Sequence, residues 1–187
     1  MKLNLNLTAL TGLMLCLTLN FAVAQNEKTV EVGGAAMYPS KNIVENAMNS
    51  KDHTTLVAAV KAAGLVETLQ GNGPFTVFAP TNEAFNALPD GTVETLLKPE
   101  NKTMLSGILT YHVVSGKLDS KEIMKKIKEG NGKAEFATVA GGKIWASMDG
   151  DMLKIMDEKN TSTHVAIKDV YQSNGVIHVI DKVIMAK

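Results

Sequence analysis

The chain has 187 residues with nineteen basic and nineteen acidic side chains, one cysteine and no arginine. Balanced charge without arginine, the residue suited to bidentate phosphate contacts, argues against a nucleic-acid partner. A lone cysteine cannot close an internal disulfide, so an apolar core must hold the fold.

The first segment reads as an export signal. Lys2 is a positive start, Leu13 to Leu19 form an apolar centre, and Ala22-Val23-Ala24 has the small residues that a signal peptidase selects. Residues 1–24 are therefore expected to be a signal peptide cleaved after Ala24, with the protein periplasmic or extracellular. Thr and Asn interrupt the apolar stretch, which is too short for a mature membrane span. Lipidation of Cys16 is disfavoured because Leu15 stands where a small residue should precede it. No later segment is long enough to cross a bilayer. Residues 25–39 read as a flexible spacer jointed at Gly33-Gly34, and residues 40–187 as one domain.

Within that domain, Ser40 is expected to cap a helix carrying Ile43, Val44, Ala47 and Met48. A second helix fits from about Thr54, with Leu56, Val57, Val60 and Ala63 at helical spacing and Gly64 as its stop. Phe75 to Pro80 reads as a buried strand whose pairing Pro80 ends. Thr81 then caps a helix, with Asn82 and Glu83 in its first turn. Short helices follow around Val93-Leu97 and Met104-Leu109. A Lys-rich helix with Ile123, Met124 and Ile127 on one stripe closes at Gly130.

From Ala134 the period changes to two. A hairpin turning at Asp149-Gly150 places Ile144 opposite Ile155 and Ala146 opposite Leu153, with Trp145 facing Lys154 on the other side. A second, over roughly Thr163–Ala186, turns at Asn174-Gly175. It sets Val170 near Val179, Tyr171 near His178 and His164 opposite Met185. Helices first and antiparallel strands second predict an α+β domain.

Three stretches in order, Thr76 to Phe85, Tyr111 to Val114 and Asn174 to Asp181, resemble the fasciclin domain in its single-domain secreted bacterial form. The resemblance covers roughly residues 40 to 186 and includes Pro80, Thr81, Asn82, His178 and Asp181 as structural motif positions. It implies a wedge-shaped β-sandwich of about seven strands with helices packed at its side. It also implies extracellular adhesion or matrix contact. In that family a Tyr-His pair and a nearby Asp-Ile pair are associated with integrin binding; here they are Tyr111-His112 and Asp169-Val170, the second with Val in place of Ile.

Other side chains admit competing roles. Thr81 could be a nucleophile at a helix start, but no Gly-x-Ser-x-Gly accompanies it, and capping is the simpler role. A hydrolase is thus the weakest reading. The four histidines lack metal-ligand spacing, and neither metal nor cofactor is expected. Tyr111 and His112 fit either packing inside the fold or display at a surface. Lys125, Lys126 and Lys128 fit a solvated helix face or attraction to anionic polysaccharide or lipid headgroups. Trp145 fits packing under a helix or, if exposed, contact with sugar or protein. Eight methionines follow Ala24 and suit irregular core gaps. The expected function is non-catalytic binding to a cell-surface or matrix protein or polysaccharide. The alternative is a binder of a small lipid or saccharide in a cleft between the helices and the wedge.

Overall fold

Phe75–Pro80 (β3) is the strand around which the rest is arranged. In the computed structural model, which describes residues 27–187, it pairs in parallel with Gly175–Ile180 (β9) and antiparallel with Val113–Ser115 (β4). Lys133–Ala137 (β5), Lys143–Asp149 (β6), Met152–Met156 (β7) and Ser162–Gln172 (β8) complete one seven-stranded sheet, ordered β4-β3-β9-β8-β7-β6-β5. Its two edges meet: Val114 bridges Thr138, and the Val139 amide donates to the Val113 carbonyl. The sheet folds back on itself as a nearly closed wedge, and the molecule is α+β. The expected signal peptide, its cleavage site and Cys16 lie outside the described residues.

Residues 30–37 depart from the expected spacer. Val30–Val32 (β1) and Ala35–Met37 (β2) form an antiparallel hairpin, with Gly33 and Gly34 at φ 60° and 73°. Two successive positive φ values are what a tight type I′ hairpin turn requires. Val32 and Met37 are buried, so the hairpin belongs to the core. The Gly-Gly pair is a turn and not a joint.

The helices are Ile43–Ala47 (α1), Thr54–Ala63 (α2), Val66–Gln70 (α3), Asn82–Asn86 (α4), Thr92–Leu96 (α5), Lys102–Tyr111 (α6) and Ser120–Glu129 (α7). Asn42, not Ser40, caps α1. Its side chain accepts from the Glu45 amide while the Glu45 carboxylate accepts from the Asn42 amide, a reciprocal box that Ser40 has no partner to match. The Ser40 hydroxyl donates to Glu27 instead. Gly64 ends α2 at φ 72°, as its position predicts.

Alternation along the strands builds two cores. Val77 and Ala79 of β3 pack with α1, α2 and α6 on the helical side, whereas Phe78 points into the wedge with Ile123, Ile144, Ile155 and Ile180. Strand β8 serves both. Val165 faces the wedge, yet Ile167, two residues on, packs with the helices, because a register shift between them changes the phase. Asp169 sits in a second shift, between Ile167 and Val170, at φ 61°.

Both hairpin registers differ from expectation by a two-residue slip. Ala146 opposes Ile155, Met148 opposes Leu153, and Trp145 opposes Met156 and not Lys154. The loop is Gly150-Asp151, with Gly150 at φ 61° in the first loop position, where a type II′ turn favours glycine. In the second hairpin, Val170 opposes Ile177 and Tyr171 opposes Val176 around Ser173-Asn174. Strand β9 ends at Ile180, so His164 faces no Met185 partner and lies beside Asp181. An even slip keeps every apolar side chain on its intended face, which is why pattern alone did not distinguish the registers. The methionines also depart from the gap-filling role: Met37 is buried, but Met48, Met104, Met148 and Met152 are exposed.

Candidate functional site

The junction of α6 with β4 carries Tyr111 and His112, and both are buried. The Tyr111 hydroxyl donates to the Lys143 carbonyl at 2.6 Å and accepts from the Glu158 amide at 3.2 Å. Burial pushes its pKa up to about 12. His112 donates from Nδ1 to the Ile108 carbonyl at 2.8 Å and accepts at Nε2 from the Ile184 amide at 3.2 Å. Burial lowers its pKa to about 4, so the ring is neutral.

Phe78 links this corner to the next. Its amide donates to the His112 carbonyl, and its ring stacks on His178 with centroids 5.7 Å apart. His178 donates from Nε2 to the Leu118 carbonyl at 2.8 Å and receives the Asp169 amide at Nδ1 at 3.4 Å; burial lowers its pKa too. The Asp169 carboxylate accepts from the Ser120 amide at 2.6 Å and its hydroxyl at 2.5 Å, tying β8 to the start of α7. Val170 is buried. Among the described residues, the ring nitrogens of His112 and His178 bond backbone groups and no hydroxyl.

Of the motif positions, Pro80 is buried and still pairs with Ile180. Pairing ends one residue later, where the Thr81 amide donates to the Ile180 carbonyl. Thr81 caps α4 by accepting from the Ala84 amide at 3.2 Å. Asn82 does more than occupy a first turn. It accepts from the Thr55 amide at 3.0 Å and donates to the Lys51 carbonyl at 2.8 Å, capping α2, whose own N-cap residue, His53, makes no side-chain capping bond among the described residues. The Asp181 carboxylate receives the Thr163 hydroxyl and the His164 amide.

The outer sheet face carries Trp145. Helix α7 packs through Ile123 and Ile127 against Ile144 and Ala146, so Trp145, one residue out of phase, lies on the opposite side and not under a helix. It is half-buried: Nε1 donates to Glu135 at 3.1 Å, and the Lys133 ammonium sits 4.9 Å from the ring centroid. Lys125 and Lys128 are exposed and Lys126 is half-buried; none has an acidic partner within salt-bridge distance among the described residues.

Two polar pairs were not anticipated. Asn46 and Gln172, both buried, hydrogen-bond each other across α1 and β8. Ser50 Oγ and His53 Nδ1 lie 2.9 Å apart, both buried. The turn Lys51–His53 is a 3-10 helix, in which residues three apart eclipse, so Ser-x-x-His was the available signal. Among the described residues, no group of three His, Cys, Asp or Glu side chains could hold a metal ion. No helix of the described residues is long and apolar enough to cross a membrane.

Comparison with known proteins agrees with this geometry. A family model described as the Fasciclin domain matches residues 51–186. Protein sll1483 of Synechocystis sp. is 47% identical over 181 residues, covering 95% of this chain and 93% of that protein. Human periostin is 35% identical over 134 residues, which are 72% of this chain but 14% of periostin. Among solved structures, the FAS1 domain pair of the insect cell adhesion molecule fasciclin I superposes with a TM-score of 0.71 at 16% identity. That match covers 86% of this chain and 58% of the other.

Proposed function

The chain belongs to the fasciclin domain family, and from that premise we propose that it is an exported, non-catalytic adhesion module contacting a cell-surface or matrix protein or polysaccharide. One observation carries this reading. The polar groups that chemistry would need, on Tyr111, His112, His178 and Asp169, are joined to backbone or to Ser120 within the fold, whereas Trp145, Lys125 and Lys128 reach the surface. Tyr111-His112 and Asp169-Val170 then serve contact indirectly, by holding β4, β8 and α7 in place. Trp145 on the outer sheet face suits apolar or sugar contact, and the exposed ammonium groups of Lys125 and Lys128 on α7 suit acidic groups of the partner.

The test is retention of purified protein on extracted cell-surface or matrix material. Trp145→Ala and the double change Lys125→Glu/Lys128→Glu should lower retention several-fold with melting temperature unchanged. Retention that falls only in variants with lowered melting temperature would overturn the assignment of these two surfaces.

A further inference from the structure

Helix α7 carries its lysines in a pattern that helix stability does not explain. At about 100° per residue, Lys121, Lys125 and Lys128 fall within an arc of about 60°. The buried Ile123 and Ile127 point the other way, and Glu122 and Glu129 lie to one flank. All three lysines are exposed, and none has an acidic partner within salt-bridge distance among the described residues. The N-cap carboxylate of Asp119 is engaged by the Glu122 amide and the Tyr171 hydroxyl. Lys117, exposed in the loop before the helix, lies 5.0 Å from the centroid of the Tyr171 ring, which holds a fourth ammonium group near the N-terminal end.

Like charges three and four residues apart weaken a helix. Lys121 stands in the first turn, where the helix dipole disfavours a cation, and only Lys128, in the last turn, gains from it. The stripe is a local cost, which an anionic chain lying along it relieves.

Charge density selects among polyanions. From Lys121 to Lys128 the axis advances about 10 Å, so the three ammonium groups stand roughly 5 Å apart. Duplex DNA presents a charge about every 1.7 Å, so most of its phosphates would go unmatched. The chain also has no arginine for bidentate phosphate contact. A bilayer would need apolar side chains offered to it, and the apolar stripe of α7 lies in the wedge core. A polysaccharide with one carboxylate per sugar repeats its charge over the length of a sugar ring, an interval that the stripe matches.

We propose that the outward face of α7 binds a linear acidic polysaccharide with one carboxylate per sugar, laid along the helix over Lys121, Lys125 and Lys128 with Lys117 at its leading end. The proposal deepens the surface-contact reading and rests on it. The contacts are exposed point charges, so affinity is modest and sensitive to salt.

The experiment is calorimetric titration of the purified protein with polygalacturonate, repeated as NaCl rises from about 20 to 200 mM. Binding should be saturable and should weaken at least about tenfold over that range. It should vanish with fully methyl-esterified polygalacturonate, which has the same backbone without charge. Lys121→Gln/Lys125→Gln/Lys128→Gln should weaken binding about tenfold without lowering the melting temperature, because the helix loses only repulsion. Lys28→Gln/Lys98→Gln/Lys159→Gln removes the same charge from exposed positions outside α7 and should leave affinity within about twofold. No binding, equal loss in both triple variants, or tighter binding to duplex DNA or phosphatidylglycerol vesicles would overturn the proposal. Retention on extracted cell-surface material without binding to polygalacturonate would refute the polysaccharide and leave the contact reading standing. Absence of retention there would refute the contact reading itself.

Discussion

His112 and His178 share an arrangement that fixes their charge. In each ring one nitrogen donates to a backbone carbonyl and the other accepts a backbone amide. Protonation would set two donors against each other, and burial adds to the cost, so both pKa values fall below that of an unfolded histidine. A depressed histidine keeps its full contribution to stability above about pH 6.5 and loses it as pH drops toward the folded value. For His112, held at about 4, the loss at pH 5 is about 2 kcal/mol. Urea unfolding at pH 7.5 and pH 5 should show at least that difference. His112→Gln should be less stable at pH 7.5 and should lose a corresponding share of the difference. An undiminished pH dependence in both His112→Gln and His178→Gln would mean that other groups carry it.

At the scale of elements, Gly175 shows where local pattern ends. Beside Asn174 it looks like a turn residue, yet the loop is Ser173-Asn174 and Gly175 begins β9. A Cβ there would lie 2.1 Å from the Phe75 carbonyl oxygen, across the parallel pairing of β3 with β9. Gly175→Ala must therefore push two central strands apart, at a cost of about 2–4 kcal/mol. A lowered denaturation midpoint measures it, and an unchanged midpoint would show that the strands yield freely. The same limit explains what the sequence made legible. Helices α2, α4 and α7 were readable from caps and apolar spacing within one segment, and the strand-corner at Pro80-Thr81 from adjacent residues. Long-range partners were not. Asn82 caps a helix that begins 28 residues earlier, and Asp169 clasps Ser120 across 49 residues. Whether Tyr111 and His112 are core or surface depends on Lys143, Glu158 and Ile184, which no local window contains.

For the whole molecule, the question is what the segment before residue 51, where the family match begins, contributes to a chain without disulfides. Val32, Met37, Ile43 and Val44 all lie in the helical-side core. The Gly33 carbonyl receives the Lys51 amide, the Ile43 amide donates to the Asn174 side-chain oxygen, and Asn46 joins Gln172. Residues 30–50 are thus laid across β8, β9 and α2 as an integral cover. Burying Val32 and Met37 contributes about 1.5–3 kcal/mol each, and freeing an ordered hairpin returns part of that as chain entropy. Removing residues 27–39 from the chain should lower unfolding free energy by about 2–4 kcal/mol. It should also reduce the urea dependence, because less surface is then buried. A true spacer would change neither quantity. A truncated chain with the full-length midpoint and slope would return the hairpin to that role, and would show that α1 and the sheet close the core unaided.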